Sequence, residues 1–418
     1  MATRPTVRFG LVFGGLVLGA TWPAAGATEA VGRPLGPWSR GQLEIHHIAT
    51  GRGNAALVIG PDGTTLLIDA GEAGGTAEAL CPPRPDSSRR PGEWIARYAR
   101  RRLAPTGRTE LDYAVISHLH PDHLGNPQPD SPRSQQGDWA LAGLTEVAEH
   151  LPIRTVIDRG YPDYSYPRLS PAGFARNYHA FIAGRRRAGA PDARLVPGAA
   201  DQIRLVRAPQ EFPAFAVRNL AANGVVWTGR GTETATAVPP LADLAPADYP
   251  DENMCSVALR ISYGKFDYFT GGDLHCDTAF GSMPWRDIET PAARAAGPVE
   301  VATANHHGYF DAVGPDSVRA LQPRLWITQA WHLTHLNMGV LERMLSPRLY
   351  AGPRDVVATD LLPATALMNE RFMKQVRATL GHIVVRVAAD GASFTAYVTE
   401  CRDETDTVLD VLGPFACR

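Results

Sequence analysis

The sequence predicts a mixed α/β fold, and three observations support this class. Short apolar runs rich in β-branched and aromatic residues recur along the chain and indicate buried strands. Several of these runs end in a carboxylate residue, as at Asp69 and Asp273. Helical patterns separate the runs, and one of them begins near Pro91 and contains Trp94 and Tyr98. An apolar content of 44% in 418 residues is ample for a packed core.

The N-terminal residues have the composition of a secretory signal peptide. Arg4 and Arg8 precede an apolar stretch from Phe9 to about Trp22, and small residues follow at 24–27. This order predicts a signal peptide at 1–27, a leader segment at 28–41 and one large domain at 42–418. The sequence shows no second apolar span. We therefore expect a periplasmic or secreted protein without a membrane span after signal removal.

The elements expected in the first half of the domain are short and alternate between strand and helix. They are strands at Leu43–Ile48, Ala55–Ile59 and Thr65–Asp69, a helix from Pro91, a strand at Leu111–Ile116, a helix at Trp139–His150, a strand at Thr155–Asp158 and a helix late in 160–190. Residues 229–252 have no apolar periodicity and are expected to overhang the active face.

The most informative motif follows the strand at Leu111–Ile116. Three histidines and an aspartate fall within six positions there, at His118, His120, Asp122 and His123. Imidazole nitrogens and carboxylate oxygens are ligands of zinc and similar divalent ions. In an extended backbone His118 and His120 point the same way and can hold one ion. After the turn at Pro121, Asp122 and His123 can face a second ion.

This motif resembles the metal-binding signature of the metallo-β-lactamase-fold hydrolases. Three further motifs occur in the same order as in that family: Ile68-Asp69, Gly271-Gly272-Asp273 and His306-His307-Gly308. The resemblance extends from about Leu43 to about Val398. It implies an αββα sandwich built from two similar βα halves.

Within that superfamily the chain is similar to the metallo-β-lactamase-like domain of bacterial competence DNA-uptake proteins and their stand-alone relatives. The residues behind this similarity are Asn253, Ser256, Trp331–His335, Val356–Thr359 and Gly381–Ile383. Those relatives are mostly phosphodiesterases or nucleases, so the resemblance implies cleavage of a phosphodiester.

The resemblance also implies the ligand set. His118 and His120 would bind one ion, Asp122 and His123 the other, and Asp273 would bridge the two. Two zinc ions are implied, with manganese as an alternative. The late histidine is ambiguous, because adjacent residues rarely both ligate one ion. We favour His306, with His307 near the substrate or outside the ligand set.

Other residues are expected to support the chemistry. By resemblance Asp69 orients the His-rich loop through hydrogen bonds, and His335 lies near the substrate phosphate. Asp122, His335 and His307 are the predicted catalytic residues. Asn253 is expected either to offer hydrogen bonds beside the site or to turn the chain into the next strand.

One departure from the family pattern concerns the first metal. Many members place another histidine between the His-rich motif and the bridging aspartate. Here that interval contains only His150 and His179, both in helical patterns, and Asn223 stands nearer the expected place in an Asn-Gly turn. The first metal site is therefore expected to be poor in ligands.

Charge and cysteine content bound the function further. Proteins that bind nucleic acids are usually strongly basic, whereas this chain has a net charge of −2. We therefore expect a small-molecule or nucleotide substrate. The arginine runs at 100–102 and 185–187 are expected to be solvated helix ends. Of the five cysteines, Cys401 could pair with Cys417, while Cys255 and Cys276 could approach each other or remain buried thiols.

These inferences predict an exported metal-dependent hydrolase that uses a metal-activated hydroxide on a phosphodiester. The alternatives are hydrolysis of a lactone, thioester or β-lactam at the same site, and a non-catalytic metal-binding module.

Overall fold

The computed structural model describes residues 1–2 and 30–418. The predicted signal peptide therefore lies almost wholly outside the described residues and stays a prediction. Within the described part, no helix has the length and apolar character needed to cross a membrane. The predicted leader packs on the domain from Ala30 onward, because Pro34 forms a bridge to Thr407 and Leu35 is buried.

Strands and helices alternate along most of the described chain. The strands are β1 (Leu43–His47), β2 (Ala56–Ile59), β3 (Thr65–Ile68), β4 (Leu111–Ile116), β5 (Ile153–Asp158), β6 (Ala193–Arg194), β7 (Phe215–Ala222), β8 (Val225–Trp227), β9 (Thr234–Thr236), β10 (Ala258–Tyr263), β11 (Phe266–Thr270), β12 (Val301–Thr303), β13 (Leu325–Thr328), β14 (Asp355–Ala358), β15 (Val376–Ala378), β16 (His382–Val387), β17 (Ser393–Thr399) and β18 (Val408–Ala416). The α-helices are α1 (Pro91–Leu103), α2 (Pro121–Leu124), α3 (Leu144–His150), α4 (Gly173–Arg187), α5 (Glu289–Ala296), α6 (Pro315–Leu321), α7 (Met338–Leu345), α8 (Pro363–Met368) and α9 (Glu370–Met373).

Two nine-stranded mixed sheets form the centre of the molecule. The first has the order β18-β17-β16-β1-β2-β3-β4-β5-β6, and the second has the order β15-β14-β13-β12-β11-β10-β7-β8-β9. Apolar side chains from both sheets, such as Ile45, Val58, Ile261 and Tyr268, pack into one shared core. The two sheets therefore lie face to face.

Helices cover the outer face of each sheet. Side chains of α1, α3 and α4 pack with residues such as Leu67 and Ile116 of the first sheet. Side chains of α5, α6 and α7 pack with residues such as Phe269 and Trp326 of the second. The predicted αββα metallo-β-lactamase sandwich is confirmed.

Most expected elements of the first half occur within one or two residues of their expected bounds. The exception is the helix expected at Trp139–His150, which begins only at Leu144. Ala140 instead bridges to Arg133, and Gly143 adopts a φ of 50°, so the preceding residues cannot continue the helix. In residues 229–252, β9 and short 3-10 turns form, and the end of the segment reaches the His-rich loop. All five cysteine thiols, which lie in the described range, are unpaired.

The topology brings the predicted site residues to one edge of the sandwich. In the first sheet β3, β4 and β5 are parallel, with Ile68 beside Val115 and Ile116 beside Asp158. In the second sheet β11, β12 and β13 are parallel. The loops that leave the carboxyl ends of these strands carry the predicted ligands.

Candidate metal centre

The His-rich loop is fixed by backbone hydrogen bonds from the loops after β1 and β3. The amides of Asn54 and Ala70 donate to the carbonyls of Asp122 and His123, each at 2.7 Å. The amide of Glu72 donates to the Pro121 carbonyl at 2.9 Å. The motif is thus held through its main chain, which leaves its side chains free to face inward.

Four side chains form a compact cluster that we call the second donor group. One nitrogen or oxygen atom from each of Asp122, His123, Asp273 and His307 lies within 4.8 Å of the others. The His123 and His307 Nε2 atoms are 3.2 Å apart. The Asp273 Oδ1 atom lies 3.0 Å from His123 Nε2, and Asp122 Oδ2 lies 3.0 Å from His307 Nε2.

The hydrogen bonds of the two imidazoles decide what this cluster can hold. His123 Nδ1 lies 2.8 Å from Asp69 Oδ2, and His307 Nδ1 lies 2.9 Å from the Gln329 carbonyl oxygen. Both acceptors require a proton on Nδ1, so the neutral rings carry lone pairs on Nε2. Two such lone pairs at 3.2 Å, with two carboxylates beside them, are held together by positive charge, which a bound cation or a proton on one ring supplies.

Three side chains form a second cluster, the first donor group. It consists of His118, His120 and Asp273, again with ligand atoms within 4.8 Å of one another. His118 Nε2 lies 3.0 Å from His120 Nδ1 and 3.7 Å from Asp273 Oδ2. Asp273 therefore offers Oδ1 to one group and Oδ2 to the other. It is held by its own amide, which donates to the Ser256 hydroxyl at 3.1 Å.

The charged side chains of the two donor groups also favour binding of a cation between them. Burial alone would lower the pKa of His123, but Asp273, Asp122 and Asp69 raise it well above its usual value. Burial would raise the pKa of Asp273, but the surrounding imidazoles hold it well below its usual range. The carboxylates thus stay ionised and attract positive charge.

The structure separates the two late histidines. His307 belongs to the second donor group, rather than the His306 that is favoured from the sequence. His306 lies outside both compact groups: its Nδ1 contacts Asp311 Oδ1 at 2.8 Å, and its Nε2 contacts Asn253 Nδ2 at 3.3 Å. Both histidines adopt left-handed backbone angles, with φ of 47° and 51°. Sequence alone could not show that turn or which ring it directs to which group.

Asp69 lies against the start of the His-rich loop. It is buried and accepts hydrogen bonds from the Ser117 amide and hydroxyl, from Asn54 and from His123. It contacts the His-rich loop without belonging to either donor group.

The predicted residues near the substrate also lie beside the centre. The His335 ring stacks on the His307 ring, with centroids 4.7 Å apart and an interplanar angle of 15°. His335 thus lies beside the second donor group, and Asn253 lies beside His306.

The residues considered for the ligand-poor site lie elsewhere. His150 is near Glu146 on the outer layer, and the His179 ring stacks on Tyr164 at 4.2 Å. The Asn223 side chain is held by Arg159, accepting from its guanidinium at 3.2 Å and donating to its carbonyl at 2.7 Å. None of the three belongs to the first or second donor group, and His150 instead lies within 4.8 Å of Glu93 and Glu146 in a separate set of possible ligands.

Two residues that hold the late histidines are not predicted from the sequence. Asp311 contacts His306, and the Gln329 carbonyl accepts from His307. The carboxylate of Asp311, so soon after the histidine pair, was a usable signal. A backbone carbonyl such as that of Gln329 carries no signal in the residue type.

Glu252 is a third residue beside the site that is not predicted from the sequence. Its carboxylate accepts from the Leu119 amide at 2.7 Å and pairs with the buried Arg159. This contact joins the end of segment 229–252 to the His-rich loop. Glu252 and Leu119 are far apart in the chain, so no local sequence pattern indicates their contact.

Cavity volume does not mark this centre. A cavity of about 850 Å³ is lined by Asp112, Tyr113, Arg154 and neighbouring residues, at the opposite ends of β4 and β5 from the His-rich loop. The donor chemistry, rather than the size of a pocket, identifies the site.

The donors fit a divalent ion. Imidazole and carboxylate ligands suit zinc, and the presence of two carboxylates also suits manganese. The second donor group offers four donors, and the first offers three.

Comparisons with known proteins agree with this geometry. The family model described as the metallo-beta-lactamase superfamily matches residues 49–126, which include Asp69 and the His-rich loop. No curated protein matches the chain. The resemblance to competence proteins is not tested by these findings and stays a prediction.

Three solved structures are similar at low identity. A protein from Parabacteroides distasonis named as a putative metal-dependent hydrolase is 11% identical, with a TM-score of 0.34 and coverage of 76% of this chain and 92% of that one. A diphosphatase from the PhnP family is 10% identical, with a TM-score of 0.33 and coverage of 82% and 97%. The short form of human tRNase Z is 12% identical, with a TM-score of 0.31 and coverage of 82% and 98%. Likenesses this distant carry no argument about substrate.

Proposed function

We propose that this chain, which contains a domain of the metallo-β-lactamase superfamily of metal-dependent hydrolases, cleaves a phosphodiester with a metal-activated hydroxide. The observation that carries the proposal is the sharing of Asp273 between two donor groups. Two divalent ions bound side by side would supply a hydroxide at neutral pH and neutralise charge on the attacking and leaving oxygens. Paired sites of this kind suit the in-line displacement at phosphorus.

The two carboxylates of the centre differ in their access to solvent. The Asp122 side chain is 14% exposed, whereas that of Asp273 is 3% exposed. Asp122 is therefore the carboxylate that can accept a proton from the attacking water. Asp273 is enclosed by imidazoles and serves to fix the spacing of the two groups.

We assign His335 a contact with the substrate. His335 is buried, and its Nδ1 has no hydrogen-bond partner among the described residues. Its ring stacks on His307 beside the second donor group, and the proposal gives this imidazole the role of donor to a substrate oxygen. Such a donor stabilises charge that develops during the displacement.

The choice of substrate class rests on the sequence resemblance to competence-type domains, and the same centre could open a lactone, thioester or β-lactam. A panel assay separates these classes. The purified protein is loaded with zinc or manganese and offered bis(p-nitrophenyl) phosphate, a chromogenic lactone, a thioester and a chromogenic cephalosporin. We expect turnover of the phosphodiester and at most weak turnover of the others.

The matched variants are Asp122→Ala at the centre and His179→Ala, whose ring stacks on Tyr164 away from it. Loss of a residue that only orients a ligand costs about 10–100-fold, so removal of Asp122 should cost more than ~100-fold in kcat/KM and lower the metal content. His179→Ala should retain both. Turnover of a lactone or cephalosporin alone would replace the phosphodiester proposal, and metal binding without turnover of any substrate would favour the non-catalytic module.

A further inference from the structure

We infer that His306 completes the first donor group, so that the adjacent His306 and His307 serve two different ions on the two oxygens of Asp273. The inference rests on the two-ion centre proposed above. Many family members have a further histidine ligand between the positions of His123 and Asp273, and this chain has none there. The inference assigns His306 to that missing role at the first metal.

The backbone separates the two rings. His306 and His307 both adopt left-handed conformations, with φ of 47° and 51°, and Gly308 follows with φ of 71°. This turn directs neighbouring side chains to different oxygens of one carboxylate. His307 Nε2 lies 3.6 Å from Asp273 Oδ1, and His306 Nε2 lies 3.8 Å from Asp273 Oδ2.

A carboxylate sets the tautomer of His306. Its Nδ1 lies 2.8 Å from Asp311 Oδ1, which requires the proton on Nδ1 and leaves the lone pair on Nε2. Asn253 Nδ2 donates to that nitrogen at 3.3 Å, which agrees with the same tautomer. A carboxylate behind an imidazole is the arrangement that orients metal-binding histidines in many proteins.

The distances around Asp273 Oδ2 favour a shared ion. This oxygen lies 3.7 Å from His118 Nε2 and 3.8 Å from His306 Nε2. Two donors bound tetrahedrally to one zinc ion at about 2.0–2.1 Å lie roughly 3.3 Å apart. His306 is not within 4.8 Å of every donor in the first group, so its ring must also swing toward the others. A movement of about 1.5 Å or more would bring it to the tetrahedral spacing around an ion held by Oδ2.

His306 can make such a shift. Its side chain is 18% exposed, and its Nε2 contact is a long bond to a neutral amide that an ion can displace. With His306 the first group has three imidazoles and one carboxylate, a full tetrahedral set. The other candidates, His150, His179 and Asn223, are engaged away from the centre.

The test measures metal binding rather than turnover. The metal-free protein is titrated with Zn²⁺ against a competing chelator, and the number and affinity of bound ions are compared among variants. We expect two ions in the natural chain. His306→Ala should weaken one ion by at least ~10-fold and leave the other unchanged, and His307→Ala should weaken the other ion.

Two further variants separate ligation from structure. Asp311→Asn should weaken the same ion as His306→Ala but by less, because the ring remains while its orientation is lost. Added imidazole should restore binding of the weakened ion in His306→Ala and have no effect on His179→Ala. Far-UV circular dichroism confirms that each variant is folded.

The outcomes distinguish this inference from the proposed function. If the natural chain binds two ions and His306→Ala binds both with unchanged affinity, the inference is overturned while the two-ion hydrolase stands. If the natural chain binds no ion, the proposed function fails and the inference fails with it.

Discussion

Asp69 shows how a single buried carboxylate can organise a metal centre without binding an ion. Its Oδ1 accepts the Ser117 amide at 2.7 Å, and its Oδ2 accepts His123 Nδ1 at 2.8 Å. The first bond fixes the start of the His-rich loop, and the second fixes the tautomer of a ligand. Its φ of 61° is left-handed, a conformation that Asp and Asn tolerate better than most residues.

Asp69→Asn therefore tests the hydrogen bonds at Oδ2, which accepts from His123, Asn54 and the Ser117 hydroxyl. Asparagine keeps the left-handed backbone and can still accept the Ser117 amide, but its NH₂ group cannot accept the proton of His123 Nδ1. We expect Zn²⁺ affinity at the second donor group to fall about 10–100-fold, while the melting temperature changes little. Chelator competition and thermal denaturation measure the two effects.

Ser117→Ala is the comparison variant, since it removes a hydroxyl that contacts Asp69, His118 and His123 but leaves the His123–Asp69 bond in place. Its effect on metal affinity should be smaller than that of Asp69→Asn. Equal metal affinity in Asp69→Asn and the natural chain would contradict this role for Asp69.

At the scale of elements, the loop after β3 supports α2 through close backbone contact. A Cβ atom on Gly71 would lie 1.9 Å from the Asp122 carbonyl oxygen and 2.8 Å from the Asn54 amide nitrogen. Both atoms belong to the backbone and cannot rotate away. The close approach is what lets the loop and the short helix share hydrogen bonds.

Gly71→Ala should consequently displace the His-rich loop. Overpacking of this kind typically costs about 1–3 kcal/mol of stability, and here it also moves Asp122 and His123. We expect a lower melting temperature together with loss of metal from the second donor group. Gly74→Ala, three residues along and exposed, meets nothing nearer than 3.7 Å and should change neither quantity. Full metal binding in Gly71→Ala would show that the loop can yield without cost.

The elements could be predicted where local pattern decides structure, and not where distant contacts decide it. The strand at Leu111–Ile116 and the ligand types at its end follow from apolar runs and side-chain chemistry. The late start of α3 depends on the Arg133–Ala140 bridge, and the orientation of His306 depends on Asp311 and a left-handed turn. No periodicity in the chain encodes those contacts. The sequence therefore predicts which residue types could bind a metal. It does not predict which donor group each imidazole ring faces.

Across the whole molecule, buried titratable groups far from the metal centre link stability to pH. His47 on β1 is fully buried, and neither ring nitrogen has a hydrogen-bond partner among the described residues. Burial, reinforced by the neighbouring His46, lowers the pKa of His47 from 6.5 to about 3. The unfolded chain binds this proton as the pH falls through 6.5, so stability is lost below that value and levels off near 3.

A carboxylate on the same strand acts in a lower range of pH. Burial alone would raise the pKa of Glu44, but the hydrogen bond with His46 and the charges of Arg386 and Arg102 lower it to about 2. Its folded-state pKa is depressed, so its contribution is present above about 4.5 and is lost as pH falls from there towards 2. Between about pH 7 and pH 4.5, buried histidines such as His47 lower stability as the pH falls, whereas Glu72, whose pKa burial raises to about 7, acts in the opposite direction.

His47→Leu tests this assignment, because leucine fills a similar volume and has no proton to gain. As the pH falls from about 7 to about 4.5, the depressed pKa of His47 should lower the unfolding free energy of the natural chain by about 3 kcal/mol. Denaturant titrations of metal-free protein at the two pH values should show a smaller loss in His47→Leu by that amount. Metal-ligand histidines contribute equally to both proteins, so the difference isolates His47. An exposed control, His150→Gln, should keep the natural pH dependence, and an unchanged dependence in His47→Leu would mean that His47 finds a proton partner in the folded chain.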